Sequence, residues 1–134
     1  MLIDLTENQV SELEAQLDKY DKQFIRYPKE GSISIGYLDD QGRLVAGLDA
    51  TMTAFNILYV STVFVDPSHR RQGLGKKLMV EMEKRAKLLG ANTVRLDTFD
   101  WQGYAFYKTL GYREVGSYLH DTDGYSEHFF VKFI

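Results

Sequence analysis

Between positions 63 and 77 the chain reads Val63-Phe64-Val65-Asp66-Pro67-Ser68-His69-Arg70-Arg71-Gln72-Gly73-Leu74-Gly75-Lys76-Lys77. An apolar run passes through an Asp-Pro turn into a short glycine-rich, basic segment, and helical periodicity follows. Such a junction is a site for an anion. The first amides of a helix have no acceptor within it and together carry about half a positive charge. Glycines at 73 and 75 let a phosphate approach those amides without meeting a Cβ, and Arg70, Arg71, Lys76 and Lys77 add charge. Two common phosphate motifs do not fit. A P-loop needs glycine where Arg70 stands and serine or threonine where Lys77 stands, and the dinucleotide fingerprint needs a third glycine at Leu78.

Other chemistries are excluded or unsupported. The 134 residues include no cysteine, which removes disulfides, thiolate zinc sites and a cysteine nucleophile. His69, His120 and His128 are scattered without metal-ligand spacing, so no metal is expected. A net charge of -3 argues against nucleic acid as the main partner, because that usually demands a basic face. Met1 to Gln9 lacks a signal-peptide pattern, and no apolar run approaches the roughly 20 residues of a membrane span. The expectation is a cytoplasmic protein with no membrane partner.

The elements that must position the anion site are legible from periodicity. Thr6-Glu7-Asn8-Gln9 has the spacing of a capping box, and Val10, Leu13, Leu17, Tyr20 and Phe24 follow at helical intervals. Pro28 to Gly31 breaks this helix. Ile33, Ile35 and Tyr37 alternate with small residues, Asp39 to Gly42 make a turn, and Leu44, Ala46 and Leu48 complete a hairpin. Ile57 to Val65 reads as a central strand buried on both faces. Leu74, Leu78, Met82, Ala86 and Leu89 mark one face of a helix over Gly73 to Leu89, stopped by Gly90. Thr93 to Phe99 is a strand, Gln102 to Leu110 a short helix, and Tyr112 to Leu119 with Tyr125 to Phe133 a closing hairpin. The order is α-β-β-β-α-β-α-β-β in one domain over residues 1–134, with no linker or repeat.

The segment Arg70-Arg71-Gln72-Gly73-Leu74-Gly75 resembles motif A, Arg-x-x-Gly-x-Gly, of the GNAT superfamily of acetyl-CoA-dependent N-acetyltransferases. Ala105-Phe106-Tyr107-Lys108-Thr109-Leu110-Gly111-Tyr112 resembles that family's motif B, at the expected separation of one helix and one strand. The resemblance covers about three quarters of the chain, from Ile33 onward. Before that, one helix stands where the family often has a strand and two helices. It implies an α/β (α+β) fold: a mixed, mostly antiparallel central sheet with helices on both faces. It also implies acetyl-CoA as co-substrate and an amine-bearing acceptor, of a small molecule or a peptide. The oligomeric state is open, a homodimer included.

Carried onto this chain, the resemblance assigns the main chain of Val63, Phe64 and Val65 to the pantetheine arm, and the amides of Arg71, Gln72, Gly73, Leu74, Gly75 and Lys76 to the pyrophosphate. The chemistry sets the remaining needs. An alkyl amine of pKa about 10 must lose a proton, a tetrahedral oxyanion needs a donor, and a departing thiolate of pKa about 8.5 gains from a proton. In the family the motif B tyrosine often serves that sulfur, and here it is Tyr107. For the base, Thr51 to Val65 offers no carboxylate; Asp97 on the next strand does, with Asp100 just beyond it. A structural ion pair of Asp97 with Arg95, and water-relayed proton loss, stay open beside it. Where the family commonly has an asparagine contacting CoA, this chain has Asp100, and Gln102 is the nearest amide able to substitute. A CoA-binding module without turnover is the rival from another class.

Overall fold

The computed structural model describes residues 1–25 and 30–134, so Pro28 of the expected break lies outside the described residues. The elements are α1 (Glu7–Asp21), β1 (Ser32–Leu38), β2 (Leu44–Met52), β3 (Ile57–Val65), α2 (Leu74–Leu88), β4 (Thr93–Phe99), α3 (Tyr104–Thr109), β5 (Arg113–His120) and β6 (Tyr125–Phe133). One-turn 3-10 segments at Ala54–Asn56 and Pro67–His69 are the additions to the order read from the sequence. The capping box forms as read. Thr6 Oγ1 accepts from the Gln9 amide at 3.2 Å, and the Thr6 amide donates to Gln9 Oε1 at 3.0 Å.

Among the described residues six strands make one sheet in the order β1-β2-β3-β4-β6-β5, and of its neighbouring pairs only β3 and β4 run parallel. That parallel pair requires a crossover, which α2 supplies, so the start of α2 sits beyond the carboxyl end of β3. Alternation along the strands sorts side chains to two faces. Leu58 and Val60 of β3, Val94 and Leu96 of β4 and Phe130 of β6 point to one face, where they meet Leu78, Met79, Met82 and Ala86 of α2. Tyr107 of α3 and Tyr112 join the same core. Lys132 of β6 ties the two helices together there, its Nζ donating to Leu110 O at 2.9 Å and lying 2.8 Å from Glu83 Oε1.

The other face is different. On β4 and β6 it carries Thr93, Arg95, Asp97 and Phe99 opposite Phe133, Val131, Phe129 and Glu127. No helix of the chain buries it among the described residues, and α1 has no buried residue at all. The expectation that β3 is buried on both faces is therefore corrected. Only Leu58 and Val60 are buried, while Ser61, Thr62 and Phe64 are exposed. Two causes act together: the uncovered face, and the early end of pairing between β3 and β4.

Candidate active site

β3 and β4 pair only from Ile57–Thr93 to Tyr59–Arg95, although β3 continues to Val65 and β4 to Phe99. Past Tyr59 the strands part. The register against β2 shows why: Ala50 faces Val60 but Asp49 faces Thr62, so Ser61 is an extra residue in β3. A bulge bends its strand and leaves one residue outside the ladder. Val63, Phe64 and Val65, the residues expected to serve pantetheine, lie on the splayed part, with their β4-side backbone unpaired by β4. Val65 O is partly taken, since Arg70 Nε donates to it at 2.9 Å. Arg70 thus braces the loop, its guanidinium also lying 5.9 Å from the Phe64 ring centre.

The loop closing on α2 is held by Asp66, which accepts from the Ser68 amide at 3.2 Å and from the Ser68 hydroxyl. Arg71 at φ 63° and Gly73 at φ 77° both turn left-handed, and Gly73 caps α2. Such a backbone gathers successive N–H groups into a concavity suited to an anion. The first amide of α2 with a partner inside it is that of Lys77, which donates to Gly73 O at 3.0 Å. Those of Arg71, Gln72, Gly73, Leu74, Gly75 and Lys76 donate to no acceptor among the described residues. The two glycines do different work. A Cβ on Gly73 would meet nothing within 4 Å, so open space lies before the amides there. A Cβ on Gly75 would stand 3.2 Å from Phe106 Cζ and 3.7 Å from Val65 Cγ2. Gly75 therefore lets α2, α3 and the end of β3 meet closely. A diphosphate fits this cradle: unpartnered amides, clear space, and Lys76 and Lys77 exposed beside them.

Tyr107 projects from α3 into the core, only 8% exposed. Its ring lies 5.2 Å from Phe106, 6.0 Å from Tyr112 and 6.0 Å from Phe130, centre to centre. Gly103 packs flat against it, and a Cβ there would come within 2.9 Å of Tyr107 Cε2. Among the described residues the Tyr107 hydroxyl has no partner, yet it is not a buried orphan, so it opens to accessible space. Burial, and secondarily the charge of Asp97, push the phenol up to about 12. It is a proton-bearing donor throughout the neutral range.

Asp97 sits on the uncovered face, where Tyr59 OH donates to its Oδ2 at 3.0 Å. Its alternative partner, Arg95, lies instead over the Tyr59 ring at 4.4 Å. Tyr59 is raised by burial and by that bond to Asp97. Gln102 is used locally: its Oε1 accepts from the Phe99 amide at 2.9 Å, leaving only its NH₂ free to face a ligand. Sequence reasoning missed Asp49. Its Oδ1 accepts from Ser34 Oγ at 2.5 Å, and the Ser61 hydroxyl of the bulge lies 3.4 Å from its Oδ2. A lone carboxylate in the otherwise apolar or small run Leu44-Val45-Ala46-Gly47-Leu48-Asp49-Ala50 was the available signal.

Unpartnered amides at the start of α2, the splayed β3–β4 pair and the nearly buried phenol of Tyr107 are the features of this candidate site. The acetyltransferase (GNAT) family model matches residues 2–112, and the chain belongs to this family of N-acetyltransferases. Its relatives include blasticidin-S acetyltransferase of Streptomyces morookaense, 32% identical over 94 residues that span 69% of this chain and 68% of that one. Thialysine N-epsilon-acetyltransferase of Sus scrofa is 34% identical over 88 residues, 64% of this chain but 48% of its own length. An acetyltransferase from Bacillus cereus, solved at 1.9 Å, is 30% identical with a TM-score of 0.91 over 100% of this chain, α1 included, and 97% of its own. Among the described residues no helix is long and apolar enough to cross a membrane.

Proposed function

We propose that this enzyme transfers the acetyl group of acetyl-CoA to a primary amine of a small molecule or peptide, by direct attack on the thioester, in the cytoplasm. The amides from Arg71 to Lys76 hold the pyrophosphate, and the free backbone of Val63 to Val65 pairs with the pantetheine. Acetyl-CoA supplies an activated acyl carbon and a leaving thiol. Ser61, outside the β2 ladder, brings a main-chain donor to the mouth of the splay, where the oxyanion develops. Asp97 faces the same opening from β4 and takes the amine proton, with Tyr59 fixing one of its oxygens.

The observation that carries the reading is the Tyr107 hydroxyl, held by a tightly packed ring and without a partner among the described residues. At a pKa of about 12, full proton transfer to a thiolate of pKa about 8.5 is uphill by roughly 5 kcal/mol. Tyr107 therefore acts chiefly as a hydrogen-bond donor to the departing sulfur. Blasticidin-S, thialysine and aminoglycosides in the names of related or similarly folded enzymes favour a small cationic amine. Two carboxylates at the opening, Asp49 and Asp97, suit such a charge.

The test is thiol release from acetyl-CoA over a panel of amines, with Tyr107→Phe as the comparison. Release with at least one amine, slowed about 10- to 100-fold in Tyr107→Phe, is the expected outcome for a lost transition-state donor. Tight CoA binding with no release for any amine would favour the non-catalytic module.

A further inference from the structure

We propose that the acceptor is a small diamine, and that Glu127 and the aromatic rings around it hold its second, cationic nitrogen while Asp97 receives the reacting one. The proposal rests on the acyl transfer proposed above and names its substrate class. The subsite follows from register. On the uncovered face Asp97 stands opposite Phe129 and Phe99 opposite Glu127, while Tyr118 of β5 faces Glu127 from the other side. Alternation puts Tyr125 and Phe129, two residues before and after Glu127, on the same face. Beyond β4, Gln102 closes a tight loop on Phe99. Its amide donates to Phe99 O at 3.1 Å, and its Oε1 accepts from the Phe99 amide at 2.9 Å. That loop folds Trp101 back over Phe99, ring on ring at 4.8 Å and 2°. Tyr125 meets both rings edge-on, at 5.6 and 6.4 Å, and Tyr118 lies 6.3 Å from Tyr125 and from Phe129. The neighbours of Glu127 on this face are thus aromatic on every side.

Such a surround selects a cation. Aromatic ring faces attract an ammonium, that of tryptophan most strongly, and Trp101 is 67% exposed. The lysines and arginines that lie over rings among the described residues sit on Phe64, Tyr59, Tyr104 and Tyr112, and on none of these five. Glu127 Oε1 accepts from the Tyr118 hydroxyl at 2.6 Å, and Oε2 has no donor among the described residues. A neutral apolar group entering here would leave that oxygen desolvated and unpaired, and an anion would meet a like charge. An ammonium satisfies rings and carboxylate together. Spacing then sets the class. Asp97 and Glu127 are diagonal neighbours across β4 and β6, roughly 7–8 Å apart. Their nearness shows at Tyr59, whose phenol is raised by burial, by the bond to Asp97 and, last, by the charge of Glu127. Nitrogens bonded to the two carboxylates stand on the order of 7 Å apart, the reach of a flexible chain of about four to six carbons. One nitrogen gives its proton to Asp97 and forms the N–C bond as the C–S bond breaks; the other keeps its proton in the cage. The product has one amine and one neutral amide, so it cannot supply a cation to Glu127 and an amine to Asp97 at once. Transfer therefore stops after one acetyl group.

Trp101 is the single tryptophan of the chain, so its emission reports on the subsite without turnover. Pentanediamine titrated at constant ionic strength should change that emission saturably, and pentanol should not. Glu127→Gln should raise the apparent dissociation constant of the diamine at least about 10-fold. In thiol release, kcat/KM for pentanediamine should exceed that for pentylamine by at least about 10-fold, and the ratio should fall about 10-fold in Glu127→Gln and in Trp101→Leu. Trp101→Leu alters an exposed loop residue and keeps the test intact should Glu127→Gln fail to fold. Mass spectrometry should find the monoacetylated diamine accumulating. Emission that pentanol alters equally, no preference for the diamine in the wild type, or an unchanged preference in both variants would overturn the proposal. Absence of thiol release with every amine, alongside a diamine titration that Glu127→Gln weakens, would count against the acyltransfer reading and leave the cation subsite standing.

Discussion

Gly103→Ala isolates the placement of Tyr107 from its chemistry. Gly103 has φ -134° and ψ 21°, a backbone that alanine adopts, so the whole perturbation is the new Cβ. That carbon would lie 2.9 Å from Tyr107 Cε2 and 3.5 Å from Cζ. Carbon atoms rest at about 3.5–4.0 Å, so the ring must retreat by roughly 0.6–1 Å. Phe106, Tyr112 and Phe130 hold its other sides, so the retreat strains the core and costs about 1–3 kcal/mol of stability. A misplacement near 1 Å at a reacting group costs up to about 100-fold. Steady-state thiol release with the best amine should show kcat down about 10- to 100-fold, roughly 1.4–2.7 kcal/mol. CoA affinity by calorimetry should change less than about threefold, since the cradle is untouched. The double variant Gly103→Ala/Tyr107→Phe should be no slower than Tyr107→Phe alone, because both remove one interaction. A wild-type kcat in Gly103→Ala, or strict additivity in the double variant, would refute the reasoning.

Gly73→Val should raise the CoA dissociation constant at least about 10-fold, because a β-branched residue resists φ 77° and its side chain enters the open space before the amides. Gly42→Val, at φ 80° in the β1–β2 turn with nothing within 4 Å, carries the same backbone strain and should leave CoA affinity unchanged. Equal losses of affinity in the two would assign the effect to strain alone. Alkaline stability offers an independent check on Tyr107. Its folded pKa is raised above the unfolded value of about 10, so the stabilisation is whole below pH 10 and is lost as pH climbs toward 12. Tyr107→Phe should therefore remove about 3 kcal/mol of the fall in unfolding free energy across that window. Tyr112, raised by burial and by Glu83, keeps the remaining slope. Identical urea midpoints for the two proteins at pH 8 and identical losses at pH 11 would contradict the burial of this phenol.

Local signals in the sequence carried most of the fold. Thr6 and Gln9 named the start of α1, Asp66-Pro67 ended β3, and the interval from Leu74 to Ala86 set the buried face of α2, each through contacts within a few residues. What depended on register between distant segments was not legible. The bulge at Ser61 arises from pairing with Asp49, twelve positions away, and it decides both the splay of β3 and the exposure of Thr62 and Phe64. Asp97 finds Tyr59 across the parallel pair rather than Arg95 on its own strand, a choice of rotamers that spacing does not encode. Gln102 looked free for a ligand because nothing in the sequence shows its oxygen turning back to Phe99. The spacing of Val10, Leu13 and Leu17 announced an amphipathic helix, and periodicity did not show that α1 has no buried residue.

The cradle at the start of α2 is the premise on which the rest depends, and titration of the folded protein with CoA in a calorimeter addresses it most directly. The account predicts saturable heat with one site per chain, a dissociation constant within the roughly 1 µM–1 mM span of enzyme substrates, and weakening by added salt. No heat with CoA or acetyl-CoA at two temperatures, from protein shown to be folded, would contradict it.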